Sequence, residues 1–349
     1  ESFKPIEYGM FIMPFHPPSK SLAQGYDEDI ELIVRAEELD FTEFWIGEHH
    51  TMKYETIVMP EIFIARALGE TERIRMGPAP LCLNQHHPAH VASRLAFLDH
   101  LSKGRLNLCF GNGSVTADHE LYGIDPKEGG PMAREAIDVI LKLWATDPPY
   151  EHQGKYWRLK LKETVDTETL IGYIHKPFQQ PHPPIALPAM SRNSYSMKLA
   201  GERGYQPFTH CLVPGNTVAD MWNTYERAAN EAGRQPNRSE LKVCRSIFLA
   251  DTTKEAVKRA KPPSVEMLLQ MENHLFNTDL NIILRLFAGL FFMMGIGCFR
   301  WSDVQRSKAL NLTSDAIMGV AWKMKKKRGA VPWAVNRFSF SGRDWGGLW

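Results

Sequence analysis

The sequence lacks a stretch of about 20 consecutive apolar residues, the length that a membrane-spanning helix requires. Its longest apolar run, Leu286 to Phe299, has 14 residues and reads as a buried helix. Cysteine is sparse: five residues, odd in number and scattered, with no C-x-x-C pair. That argues against a disulfide framework or a thiolate zinc site and points to free thiols in a reducing, cytoplasmic compartment. No early G-x-G-x-x-G opens the first helix, so the usual dinucleotide fingerprint is missing. An excess of one charge is missing too, with 41 Lys and Arg against 40 Asp and Glu. Such balance argues against dominant binding to nucleic acid or an anionic membrane over the whole chain. The chain starts at Glu1 rather than methionine, which leaves an organellar targeting segment upstream open.

What is present is a rhythm. Short β-rich runs ending in Gly, Pro, His or Asn alternate with amphipathic stretches of helical period. The runs are Glu7 to Met13, Phe41 to Gly47, Ile74 to Leu83, Arg105 to Phe110, Ile185 to Ala189, Phe208 to Leu212 and Leu241 to Leu249. The helices expected after them are Asp27 to Leu39, Glu61 to Leu68, Pro88 to Leu101, Met132 to Trp144, Asn193 to Arg203, Thr217 to Ala232 and a helix from Thr253. A hairpin over Tyr150 to Leu159 interrupts the series. Strands joined by helices in this way make a parallel α/β sheet, either doubly wound or closed. Seven units and the missing fingerprint favour a (β/α)8 TIM barrel that lacks its eighth unit. After Lys261-Pro262-Pro263 the rhythm stops, so a barrel over 1–261 and a small, mostly helical segment over 262–349 are expected. In that segment helices are expected at Val265 to Phe276 and Leu280 to Met294, with a strand pair around Ala316 to Lys325.

In such a barrel the chemistry gathers at the carboxyl ends of the strands. Those ends carry Phe15-His16, Glu48-His49-His50, Asn84-Gln85-His86-His87, Gly111-Asn112-Gly113-Ser114, Met190-Ser191-Arg192-Asn193 and His210. Ser191 to Ser194 can open a helix whose free N–H groups and Arg192 suit a phosphate; a plain N-cap explains it as well. Gly111-Asn112-Gly113 lets a flat ring or a phosphate approach the backbone, or is simply a tight turn. No metal site is expected: neither His-His pair has H-E-x-x-H spacing, and adjacent strand residues point to opposite faces.

Phe44-Trp-Ile-Gly-Glu-His-His50, His86-His-Pro88 running into Leu98-Asp-His-Leu-Ser-Lys-Gly-Arg105, Gly111-Asn-Gly113 followed by Leu121-Tyr-Gly123, and Ser191 to Gly204 together resemble the bacterial-luciferase-like flavin monooxygenases. The resemblance covers residues 6 to about 260, with Phe11 to Pro17 and the stretch to Trp45 closest to the limonene-monooxygenase-like branch. It implies non-covalent reduced FMN from a separate flavin reductase, and reaction with O2 to a C4a-peroxyflavin that oxidises a small apolar substrate. It implies His49 as the active-site histidine that assists proton transfer, with Asn84, Gly111, Asn112, Gly113, Met190, Ser191, Arg192 and Asn193 around the cofactor. It leaves a homodimer open. Phe15, Trp45 and Leu83 serve either as dry walls of the site or as barrel core. Asn112 stands where many relatives carry an arginine for the flavin phosphate, which leaves that charge to Arg192. A deazaflavin- or flavin-dependent dehydrogenase on the same barrel is the rival within enzymes.

Pro263 to Arg306, centred on Gly297-Cys-Phe-Arg-Trp-Ser-Asp303, resembles the start of a tyrosine-recombinase catalytic domain, with Arg300 at its phosphate-contacting arginine. No His-x-x-Arg follows, and no tyrosine follows Tyr225. This resemblance implies an inactive fragment, and an unrelated helical tail is the alternative. Lys323-Met-Lys-Lys-Lys-Arg328 adds a basic run. Any nucleic-acid binding is therefore expected only through 262–349, and an inactive barrel fused to a DNA-recombinase relic is the third functional reading.

Overall fold

The computed structural model describes residues 6–16, 19–247, 249–259, 307–312, 316–323 and 329–336. They fall into two units, Glu1–Ser246 and Ile247–Trp349.

The first unit is a parallel sheet wrapped in helices. Its strands are β1 (Gly9–Ile12), β2 (Glu43–Ile46), β3 (Arg75–Pro78), β4 (Leu81–Cys82) and β5 (Leu108–Gly111). The hairpin β6 (Tyr150–Gln153) and β7 (Arg158–Leu161) follows, and then β8 (Ile185–Ala189), β9 (Gln206–Thr209) and β10 (Lys242–Val243). β1, β2 and β3 pair in that order, and β4, β5, β8, β9 and β10 form a second run. A parallel bridge from Met76 to Leu106 joins the two runs. β3 and β4 are halves of one barrel position, so the described residues fill seven positions, as the sequence rhythm predicts. The sheet is rolled. Lys242, first in β10, reaches across to Glu43, first in β2, with Nζ 2.7 Å from each carboxylate oxygen.

Local chemistry explains the elements. The strands carry Phe44, Ile46, Met76, Leu108, Phe110, Ile185 and Leu187, all buried, as expected for strands covered by helices. The covering helices are α1 (Leu22–Glu38), α2 (Pro60–Ala67), α3 (Pro88–Leu101), α4 (Thr116–Leu121), α5 (Gly129–Ala145), α6 (Tyr195–Arg203) and α7 (Gly215–Glu231). α1 buries Ile30, Ile33 and Ala36 and turns the Arg35–Glu38 pair to solvent. It starts earlier than the expected Asp27 because Ser21 caps it, accepting from the Gln24 N–H at 3.2 Å. α3 starts at Pro88, whose fixed φ suits the first helical position. α6 and α7 pack at Gly201, where an added Cβ would sit 2.4 Å from the Tyr225 carbonyl oxygen. The seventh strand is shorter than expected. It ends at Val243, and Ile247 beyond it is exposed.

In the second unit α8 (Thr253–Arg259) is followed by β11 (Ser307–Leu312), β12 (Ala316–Lys323) and β13 (Gly329–Asn336), an antiparallel sheet in that order. The described part of the tail beyond α8 is therefore β rather than helical, and the strand pair expected around Ala316 is a three-stranded sheet. The sequence of β12 and β13, with Ile317, Val320, Trp322, Val331, Trp333 and Val335, has the β-branched and aromatic content strands favour. The expected helices over 265–276 and 280–294, and the recombinase-like segment with Arg300, lie outside the described residues.

Candidate active site

The sequence-predicted residues cluster at the carboxyl ends of the parallel strands. His49 lies just past β2, half-buried. Its Nε2 is 2.9 Å from Glu55 Oε2, its backbone N–H donates to the Ile57 carbonyl, and its Nδ1 is buried with no partner among the described residues. The Glu55 contact is close enough for an ion pair but lacks hydrogen-bond geometry, and Glu55 Oε2 likewise has no hydrogen-bond partner among the described residues.

Glu48 and His50 lie on the other side of that segment. Glu48 Oε1 takes hydrogen bonds from His50 Nε2 at 2.9 Å and His86 Nε2 at 2.6 Å, while Oε2 accepts the Cys82 N–H at 2.7 Å. Burial works against the carboxylate, but these hydrogen bonds outweigh it and hold the Glu48 pKa down to about 2. The bond to Glu48 in turn raises the pKa of His50, whose Nδ1 pairs with the Tyr122 hydroxyl at 2.9 Å. The expectation of no metal site weighed each His-His pair. The structure instead brings Glu48 and His50, in the loop after β2, together with His86 from the next strand end.

Asn84 follows β4 and is 1% exposed, yet neither amide atom has a partner among the described residues. Native proteins rarely leave a buried amide unpaired, so such a group points to a ligand or an ordered water. Asn84, Asn112 and His119 converge on the start of α5: a Cβ built on Gly129 would lie 3.2 to 3.5 Å from all three side chains. His119 Nε2 is 2.9 Å from the Asn112 carbonyl oxygen, and its Nδ1 is unpartnered. Gly111 and Gly113 let neighbouring groups pack close against the backbone beside them. A Cβ on Gly111 would meet the Pro80 ring at 2.8 Å, and Gly113 has a φ of +66°.

Met190, Ser191, Arg192 and Asn193 form the exposed loop from β8 to α6. Asn193 has a φ of +48° and gives its N–H to Asp220 Oδ2 at 2.8 Å. Ser194 occupies the N-cap of α6 without a side-chain cap bond, which leaves N–H groups at the helix start. Arg192 has no partner among the described residues. Arg134 of α5, which sequence reasoning missed, stacks on Tyr195 at the first position of α6, its guanidinium carbon 4.3 Å from the ring centre. Nothing local in the sequence marks Arg134; only the packing of α5 beside α6 brings it there. Of the expected dry walls, Trp45 and Leu83 are barrel core, and Trp45 turns its indole N–H to Glu43; only Phe15 is exposed.

An unpartnered buried amide and a helix start flanked by two arginines fit a flavin mononucleotide. Comparison with known proteins agrees. The luciferase-like monooxygenase family profile matches residues 6–287, past the boundary expected at 261. The 4-hydroxyprotoasukamycin monooxygenase of Streptomyces nodosus subsp. asukaensis is 33% identical over 257 residues, 72% of this chain and 67% of that protein. Limonene 1,2-monooxygenase of Rhodococcus erythropolis is 30% identical over 267 residues, 73% of this chain and 64% of that protein. Among solved structures, the oxygenating constituent of 3,6-diketocamphane monooxygenase from Pseudomonas putida in complex with FMN superposes with a TM-score of 0.66 at 30% identity, covering 83% of this chain and 78% of that one. Barrel, site and relatives converge, and the chain belongs to the luciferase-like monooxygenase family.

Proposed function

We propose that the chain is the oxygenase of a two-component flavin system, taking reduced FMN from a separate reductase and oxidising a small apolar substrate with O2. The observation that carries this reading is the joint likeness, in sequence and fold, to an FMN-bound oxygenating constituent. When bound, reduced flavin supplies the activation of oxygen. The protein's residues supply the rest. Arg192, Arg134 and the α6 N–H groups hold the phosphate. The backbone at Gly111 and Gly113 lies against the ring, Asn84 hydrogen-bonds its polar edge, and His49 manages a proton beside it, with Glu55 next to the imidazole. Phe15 helps to keep the mouth dry.

The test is anaerobic titration with reduced FMN, FAD and a deazaflavin, followed by turnover with labelled dioxygen, an added reductase and a panel of cyclic ketones and terpenes. FMN preference and one labelled oxygen atom in the product are expected. Preference for the deazaflavin, with oxidation but no label, overturns the reading in favour of a dehydrogenase.

A further inference from the structure

We propose that Glu48, His50 and His86 form a binding site for a divalent transition-metal ion of the zinc class. The site is independent of flavin binding and braces the segment that carries His49. Three donor atoms, His50 Nε2, His86 Nε2 and a Glu48 carboxylate oxygen, all lie within 4.8 Å of one another. Both imidazoles converge on the same oxygen, at 2.9 and 2.6 Å, although the carboxylate has two. For metal–ligand bonds of about 2.0–2.2 Å in a tetrahedron, neighbouring donors stand roughly 3.3 Å apart. An ion therefore fits between these side chains after small rotations, without movement of the backbone.

The surroundings suit an ion as well. The Glu48 side chain is fully buried and those of His86 and His50 nearly so, at 7% and 11% exposure. The outer contacts that orient metal ligands are in place. The Cys82 N–H holds the second Glu48 oxygen at 2.7 Å, and the Tyr122 hydroxyl sits 2.9 Å from His50 Nδ1, able to accept its N–H once Nε2 binds a metal. Asp118 fixes the same segment from outside, accepting from the Thr51 N–H at 2.8 Å. Two imidazoles and one carboxylate select zinc, cobalt or nickel over magnesium or calcium, which prefer all-oxygen shells. Three protein ligands leave a fourth position for water. Glu48 and His50 flank His49 in the chain, so an ion joining them to His86 pins both ends of the residue proposed to manage the proton.

The experiment uses the full chain, stripped with a chelator and titrated by calorimetry with zinc, cobalt and magnesium chloride, without flavin. Zinc and cobalt are expected to bind in a single saturable step and to raise the melting temperature. The cobalt form is expected to show the intense visible absorption of a tetrahedral site, and magnesium is expected to do neither. His86→Gln should weaken zinc binding by more than the roughly 10–100-fold loss that outer-shell changes alone cause. His87→Gln, at the neighbouring exposed histidine, should leave it unchanged. If a variant fails to fold, X-ray absorption of the zinc-loaded wild type decides, because two imidazole shells and one carboxylate are required. No binding, binding unchanged in His86→Gln, equal response to magnesium, or an absorption spectrum without two imidazoles each overturns the proposal.

Discussion

The two ends of the barrel treat buried polar groups in opposite ways. At the floor, where the strands begin, no buried side-chain polar atom among the described residues lacks a partner. Glu43 accepts from Lys242 at 2.7 Å, from Trp45 Nε1 at 2.9 Å and from Asn107 Nδ2 at 3.2 Å. Asn107 Oδ1 in turn accepts from Arg75, whose remaining N–H groups reach the Gly104 and Leu106 carbonyls and Gln179. At the mouth, where the strands end, Asn84, Gln85 Oε1, Thr209 Oγ1, His49 Nδ1 and His119 Nδ1 are buried without partners among the described residues. An unmatched buried polar atom costs about 1–3 kcal/mol. The floor's polar groups are matched within the fold, and the unmatched ones at the mouth are those the proposed flavin would engage, the division of labour expected of this barrel type.

The comparison breaks first at the floor. Glu43→Ala strands the Lys242 ammonium, the Trp45 N–H and the Asn107 amide together, and should lower unfolding free energy by about 3–5 kcal/mol. Urea denaturation measures it. A loss within about 1 kcal/mol, the worth of an exposed pair, would mean that water already reaches the floor.

His49→Ala should do the reverse. Melting should change little while turnover falls roughly 10²–10⁴-fold, and hydrogen peroxide release should rise as oxygen use uncouples from substrate. Lower stability with unchanged coupling would return His49 to the framework. A smaller effect separates the mouth from its outer rim. Arg192→Ala and Arg134→Ala should each weaken FMN binding by about 1–3 kcal/mol, the range of a charge-assisted hydrogen bond. Calorimetry that finds both dissociation constants unchanged would place the phosphate elsewhere.

The legible part of the fold was whatever local chemistry dictates. The ends of α3 at Pro88 and Leu101, and β8 at Ile185 to Ala189, agree with the sequence reading because proline, apolar period and strand length mark them within a few residues. The Ser21 cap was also present in the sequence, and attention to it would have placed the start of α1 correctly. Pairings across the chain left no such mark. Glu43 and Lys242 lie 199 positions apart, and Glu48 and His86 lie 38 apart. Arg134 meets Tyr195 only because α5 packs beside α6. For the site, the order of motifs pointed to the loops at the strand ends, but adjacent histidine pairs carry no sign that Glu48 meets both His50 and His86.

The central claim is that the mouth leaves polar groups unmatched for a ligand, and Asn84 tests it most directly. In Asn84→Leu, the melting temperature of the flavin-free protein should hold or rise, because an unsatisfied amide is replaced by apolar packing. The affinity for reduced FMN should fall by about fivefold or more, near 1 kcal/mol. A lowered melting temperature with FMN affinity intact would contradict the account, making Asn84 part of the framework and the unmatched mouth no binding site.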